Sequence, residues 1–225
     1  MTFEFDWHAA WASVPALLTG LPMTLLISFA GVVIGMALGV ALGLLRLAPY
    51  RAVRLLTICY VEIFRGTPVL VQVLFIFYGL PSIIGHPLAP LTAAITAIAL
   101  NSGAYISEVV RGGIRSIDNG QREAGYSLGL GPVQTFTSII WPQTLRRIAP
   151  ALGNQIITSV KDTSLFSVIG IGELVRQGQI YIAATFNALE VYLMIGLVYL
   201  IITLALSAVI HLFEASQTAS LKGAR

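Results

Sequence analysis

Arg111 to Pro150 reads RGGIRSIDNGQREAGYSLGLGPVQTFTSIIWPQTLRRIAP, and the reading of this stretch decides the fold. It mixes charged with apolar residues, and long hydrophobic runs flank it on both sides. Asp118 followed by Gln121 has the spacing of a capping box and predicts a short helix through Glu123, Ala124 and Leu128. Gly129 and Gly131 supply a stop, and Pro132 suits the first position of a second helix. Val133, Phe136, Ile139 and Ile140 fall at helical spacing along that helix, which is expected to break at Pro142. A folded helical hairpin between membrane spans is a natural docking surface. The plain alternative is an ordinary structured loop.

The flanking runs set the class. Of 225 residues, 56% are hydrophobic and 10% charged, and the mean hydropathy is +0.85. A soluble domain carries about 25% charged residues. The chain therefore reads as an all-α polytopic membrane protein, one transmembrane domain over 1–225 with no room for a soluble one. The N-terminal MTFEFDWHAAW has no Lys or Arg before its first apolar run, which argues against a cleaved signal peptide. The single Cys59 excludes an intrachain disulfide. A net charge of +3 offers no basic face for nucleic acid.

Five spans are expected, at about 21–45, 53–80, 91–110, 151–171 and 188–212, with 111–150 as the cytoplasmic loop. Gly31, Gly35, Gly39 and Gly43 recur every four residues in the first, a ridge that lets another helix approach closely. Glu173 to Asn187 reads as a polar, re-entrant or interfacial connection. Arg46, Arg51, Arg54, Arg111, Arg115, Arg122, Arg146, Arg147, Lys222 and Arg225 fall on one side of these spans, and Arg176 alone on the other. The positive-inside rule then puts the N-terminus outside and the hairpin in the cytoplasm.

Six ionisable residues lie in or at the edge of spans: Glu62, Arg65, Glu108, Arg111, Lys161 and Asp162. A lone charge at mid-bilayer costs roughly 2.5–3.5 kcal/mol on insertion scales, so each is expected to face protein or a water-filled cavity. Glu62/Arg65 and Glu108/Arg111 stand at i,i+3 and can meet on one helix face. For Glu108/Arg111 a structural ion pair is the favoured reading. Lys161 and Asp162 are adjacent, diverge on a helix, and with Thr163 and Ser164 make four consecutive polar side chains, an expensive arrangement for packing alone. Glu62-Ile-Phe-Arg-Gly-Thr-Pro-Val-Leu-Val-Gln72 has a similar character, because Gly66 and Pro68 weaken the helix and free carbonyls near Arg65 and Thr67. Broken helices with polar linings at membrane depth are a transporter feature; a simple proline kink is the bland reading. Asn101, Ser102 and Tyr105 add polar atoms to the third span, more often used between helices than for ligand.

Two chemistries are excluded. The only lysines, Lys161 and Lys222, follow Val160 and Leu221, so no Gly-Lys-Ser/Thr phosphate loop exists. His8, His86 and His211 lie at span ends or outside and make no paired haem or metal site.

Glu123-Ala124-Gly125, then Gly129, then Ile139-Ile140-Trp141-Pro142 resembles the EAA loop of ABC importer permeases, with Gly125 in place of the second Ala and Trp141 in place of Leu. The likeness extends over EIFRGTPVLVQVLFIFYGLP, LNSGAYISEVVRGGIRSIDNGQREAG and LRRIAPALGNQIITSVKDTSLFSVIGIGEL, which look like the polar amino-acid branch of that family. The resemblance implies a bacterial inner-membrane permease subunit that pairs with a second permease copy, an ATPase dimer and an extracytoplasmic binding protein. ATP is then bound by the separate ATPase subunit, and this chain carries no cofactor. Arg122, Glu123, Ala124, Gly125, Leu128 and Gly129 would couple to the ATPase. Glu62, Arg65, Thr67, Gln72, Asn101, Lys161, Asp162, Thr163 and Ser164 would line the substrate path. Overall likeness favours glutamine over a basic amino acid, glutamate or cystine. An ion-coupled secondary carrier could use the same buried charges without needing the hairpin. A structural anchor would need neither the polar cluster nor the helix break.

Overall fold

The computed structural model describes residues 5–222, with side-chain surroundings described as far as 212. Of the basic residues used for orientation, Arg225 lies outside the described residues and Lys222 is described by its backbone alone. Among the described residues there is no strand.

Helix α1 spans Trp7–Leu45, fourteen residues longer at its start than the expected span. Asp6 accounts for the early start, accepting hydrogen bonds from the N–H groups of His8 (2.8 Å) and Ala9 (3.0 Å). Pro15 and Pro22 lie inside α1 without ending it. Trp7 and Trp11 are exposed near its start and are of the residue type enriched at membrane–water interfaces. Helix α2 (Arg51–Gly66) and helix α3 (Val69–Leu74), prolonged by a π-helical turn Phe75–Gly79 and α4 (Leu80–Ile84), are bent by 105° at Thr67-Pro68. Helix α5 runs over Pro90–Arg115, so Arg111 and Arg115 continue a span and do not belong to the hairpin.

The glycine ridge of α1 meets α5. A Cβ on Gly31 would stand 2.5 Å from Ile98 Cγ2, one on Gly35 2.9 Å from Ser102 Cβ, one on Gly39 2.6 Å from Ile106 Cβ and one on Gly43 2.8 Å from Val110 Cβ. Four successive turns are thus packed at backbone distance, which no other residue type permits. At the same end as the α4–α5 turn the chain returns through helix α9 (Leu174–Thr185), the polar connection of the sequence reading. Its N-cap, Glu173, is fully buried and accepts from the N–H of Val175 (2.9 Å) and Arg176 (2.6 Å) and from the Tyr199 hydroxyl (3.3 Å). Thr24 of α1 accepts from the Leu174 N–H at 3.1 Å, and Gly20 leaves room for that backbone, which a Cβ would meet at 2.7 Å.

The hairpin proper is Ser116–Ile140. Helix α6 (Asn119–Ser127) is capped by Asp118, which accepts from the Gly120 N–H at 2.6 Å. Gln121 does not complete the expected box; its carbonyl instead accepts from Gln143 at 3.0 Å, tying α6 to the following helix. Gly129 turns the chain at φ 77°, and Pro132 opens α7 (Pro132–Thr135). The break expected at Pro142 does not occur. A π-helical turn over Phe136–Ile140 widens the helix, and Pro142 falls in the first turn of α8 (Trp141–Asp162), where a missing N–H is tolerated. Helix α8 therefore begins ten residues before the expected Ala151. It passes into a 3₁₀ segment, Thr163–Ile169, and the last helix is α10, Ala188–Lys222.

Among the described residues, three helices are long and apolar enough to cross a membrane: α1, α5 and Ala188–Leu212 of α10. The bent pair makes a fourth when counted as one span. Helix α8 falls short of that standard because Arg146, Arg147, Asn154, Gln155, Lys161 and Asp162 lie along it.

Gly125, where the family pattern has Ala, is buried between the two arms of the hairpin. A Cβ there would stand 2.6 Å from Thr135 Cγ2 and 2.9 Å from its Oγ1. Gly125→Ala should therefore lower thermal stability in detergent by the roughly 1–3 kcal/mol typical of overpacking. Gly125→Ala with Thr135→Ala should recover most of it. An unchanged melting temperature in the single variant would show that the arms are not held this closely.

Candidate functional site

The break between α2 and α3 frees backbone carbonyls, and Gln72 recovers them. Its Nε2 donates to Phe64 O (2.8 Å), Thr67 O (3.0 Å) and Thr67 Oγ1 (2.9 Å). Asn101 on α5 donates from Nδ2 to Phe64 O and to Gln72 Oε1, both at 3.2 Å. The bend is thus fastened to α5 by two amides, and the 105° corner leaves no orphaned carbonyl at Phe64 or Thr67.

Beside this corner lies a cavity of about 560 Å³. Arg65, Thr67 and the Gly66–Pro68 backbone form one wall, Asn101 and Tyr105 of α5 the second, and Gln155, Thr158 and Asp162 of α8 the third. The Arg65 guanidinium stands over the Tyr105 ring, 5.3 Å from its centroid, a cation–π contact that fixes where the charge sits. Gln155 donates to Ser102 Oγ at 3.3 Å, which in turn shares a proton with Ser159 at 3.0 Å, so α5 and α8 are joined by hydroxyls and an amide just behind the wall.

Of the expected path residues, Arg65, Thr67, Asn101 and Asp162 come together here; the others do not. Glu62 is exposed and makes no ion pair with Arg65, because the bend and Tyr105 carry the guanidinium elsewhere. Gln72 is 7% exposed and spent on the corner. Lys161 is exposed outside the lining. Thr163 is fully buried on the opposite side, donating to Val160 O (2.7 Å) and meeting the Tyr199 hydroxyl (3.4 Å). Ser164 turns back onto Lys161 O at 2.7 Å. The change from α-helix to 3₁₀ at Thr163 scatters the four consecutive polar side chains. Sequence reading missed Gln155 and Thr158, although with Asp162 they stand at i, i+3 and i+7, one face of one helix.

Below the cavity, Glu108 joins Arg111, as its spacing suggested, and also Arg46 from the end of α1. This is a packing element of α1 and α5; none of the three lines the cavity.

The hairpin residues divide into two faces. Glu123, Ala124, Leu128 and Gly129 are exposed, and Leu128 (78%) and Val133 (75%) make an apolar tip. Gly125 faces inward onto Thr135, and Arg122 is half-buried and lines a separate cavity on the inner side of α6.

Comparison with known proteins gives this arrangement its family. The model for "Binding-protein-dependent transport system inner membrane component" matches residues 31–219. The glutamine transport system permease protein GlnP of Escherichia coli K12 is 46% identical over 212 residues, covering 94% of this chain and 97% of that protein. The arginine transport system permease protein ArtQ of Bacillus subtilis 168 is 36% identical over 204 residues, 91% of this chain and 93% of that one. The crystal structure of an amino acid ABC transporter with histidines superposes with a TM-score of 0.89 at 36% identity, over 95% of this chain and all of the other. A match over most of the length, with the EAA-type hairpin in place, identifies the chain as a multi-pass membrane protein that belongs to the inner-membrane component family of binding-protein-dependent transport systems, the ABC importer permeases.

Proposed function

We propose that this chain carries a neutral polar amino acid, glutamine foremost, across the membrane through the cavity between α2, α5 and α8. A separate ATPase subunit would dock on the exposed face of α6, and an extracytoplasmic binding protein would deliver the substrate to a pair of permease subunits. The observation that carries the reading is the cavity's charge pattern. It presents one cation, Arg65, and one anion, Asp162, with amides and hydroxyls between them. Arg65 faces the substrate carboxylate and Asp162 its ammonium, which leaves Asn101, Gln155 and Thr158 for an uncharged side chain. A basic amino acid would want a second carboxylate, and neither Glu62 nor Glu108 lines the cavity. Relatives named for glutamine and for arginine share this family, so the family alone does not choose.

The chain crosses the membrane five times in this reading, α8 being the polar-lined crossing, with the N-terminus outside and the hairpin in the cytoplasm. Excess Arg on the hairpin side supports that sense. A reporter active only outside the cytoplasm should be silent when fused after Gly120 and active when fused after His86. The reverse pattern would overturn the orientation.

Coupling is tested on the outer face of α6. Glu123→Lys reverses the exposed charge, and Gly129→Asp places a side chain where φ is 77°. Either variant should insert normally yet recover less ATPase subunit or stimulate less hydrolysis. Normal assembly and transport by both would remove the hairpin as the socket.

Asp162→Asn keeps the volume and removes the charge. Burying a neutral amide costs less than burying an unpaired carboxylate, so the variant should fold and insert. Uptake should fall at least about tenfold, the factor that corresponds to 1.4 kcal/mol of lost substrate interaction, while the binding protein still holds its ligand. Loss of protein level, stimulated hydrolysis and uptake together would mark Asp162 as structural, and unchanged uptake would remove it from the path.

A further inference from the structure

The cavity on the inner side of α6 is used by neither the translocation path nor the docking face. It measures about 430 Å³ and is bounded by Leu44, Leu47, Arg122, Tyr126, Thr135 and Phe136, with other apolar residues behind them. Arg122 is half-buried. Both ion pairs among the described residues are made by Glu108, so the Arg122 guanidinium has no carboxylate beside it. Thr135 is 2% exposed, and its Oγ1 is buried without a hydrogen-bond partner among the described residues. That oxygen is turned onto Gly125, where a Cβ would stand 2.9 Å from it, and is closed off from the cavity. A guanidinium without a carboxylate partner, set against a largely apolar wall, fits a molecule that is anionic at one end and hydrocarbon at the other.

The position of the cavity narrows the choice. Leu44 and Leu47 stand at the end of α1, which the proposed orientation puts at the cytoplasmic surface, and the exposed tip of the hairpin, Leu128 and Val133, takes no part in the lining. The cavity therefore opens at the headgroup layer, on the side of the hairpin turned away from the ATPase. Arg51 and Arg54, both exposed, begin α2 just after Ala48, itself a lining residue. Basic pockets between spans on the cytoplasmic side are where anionic headgroups bind.

We propose that this cavity holds one anionic phospholipid of the cytoplasmic leaflet. Its phosphate is taken by Arg122, and its glycerol and upper acyl chain by Leu44, Leu47 and Phe136. The bound lipid braces α6 against the end of α1, so the setting of the coupling helix depends on the headgroups around it. The leaflet assignment rests on the orientation proposed above.

The test uses the full permease in complex with its ATPase subunit, in nanodiscs of phosphatidylcholine with or without phosphatidylglycerol, with retained lipid counted by native mass spectrometry. The wild type should keep phosphatidylglycerol in preference to phosphatidylcholine. Arg122→Gln should weaken that retention about fivefold, the contribution of one basic residue near an anionic surface. Thr135→Val, which keeps shape and drops a hydroxyl closed off from the cavity, should leave retention within about twofold, and a loss equal to that of Arg122→Gln would overturn the phosphate assignment to Arg122. Arg54→Gln should leave it within about twofold, as expected of an exposed charge screened by salt. Equal retention in Arg122→Gln and wild type overturns the proposal. So does an equal loss in Arg54→Gln, which would mean diffuse attraction. Retention by the isolated permease that disappears in the complex would assign the cavity to an acidic side chain of the ATPase. Binding seen only with phosphatidylglycerol confined to the opposite leaflet overturns the proposal through the orientation, whereas loss of headgroup preference from either leaflet overturns it on its own.

Discussion

The close approach of α1 and α5 is the constraint on which the rest of the molecule depends. Lipid tails are as apolar as leucine, so two helices gain nothing by hiding hydrophobic surface from them; they gain by packing at backbone distance. Gly31, Gly35, Gly39 and Gly43 permit this over four turns against Ile98, Ser102, Ile106 and Val110. The seam fixes α5, and α5 in turn carries the elements that matter. Asn101 and Tyr105 face the cavity, Glu108 ties the end of α1 through Arg46, and the hairpin leaves from Arg115. Nearer the start of α1, Gly20 and Thr24 admit the backbone of Glu173 and Leu174 and seat α9.

Against this frame the α2–α3 corner is a controlled defect. Pro68 removes a donor, and the 105° bend would strand carbonyls in a medium without water. Gln72 and Asn101 replace the missing donors with side-chain amides. The corner then exposes Arg65 and Thr67 to a space that α8 closes from the other side. Opposite charges, Arg65 and Asp162, are thereby held on separate helices around one cavity and not joined to each other.

The hairpin repeats the theme at smaller scale. Gly125 against Thr135 brings its two arms together, and this turns Glu123, Ala124 and Leu128 outward while Arg122 turns in. One short helix thereby presents two distinct faces. The π-helical turn at Phe136–Ile140 lets the second arm run straight into α8, so the hairpin and one wall of the cavity belong to one nearly continuous helical path.

The sequence by itself determined the all-helical membrane class and the local features of the chain. Hydropathy, glycine at every fourth position, Gly129 and Pro132 at the turn and Gly66/Pro68 at the corner are local signals, each with its own backbone or solvation cost. Glu108/Arg111 was legible for the same reason, being three residues apart on one helix. What only the tertiary structure decided depends on packing between elements distant in sequence. Arg46 reaches Glu108 across 62 positions. Arg65 leaves Glu62 for the ring of Tyr105. Thr163 turns to Tyr199 because a 3₁₀ segment rotates it away from Asp162. Pro142 was read as a break because a proline inside a regular helix clashes, and the π turn that relieves the clash has no one-residue signature. Gln155 and Thr158 share a helix face with Asp162, yet only the approach of α2 and α5 makes that face a cavity wall and not a lipid surface.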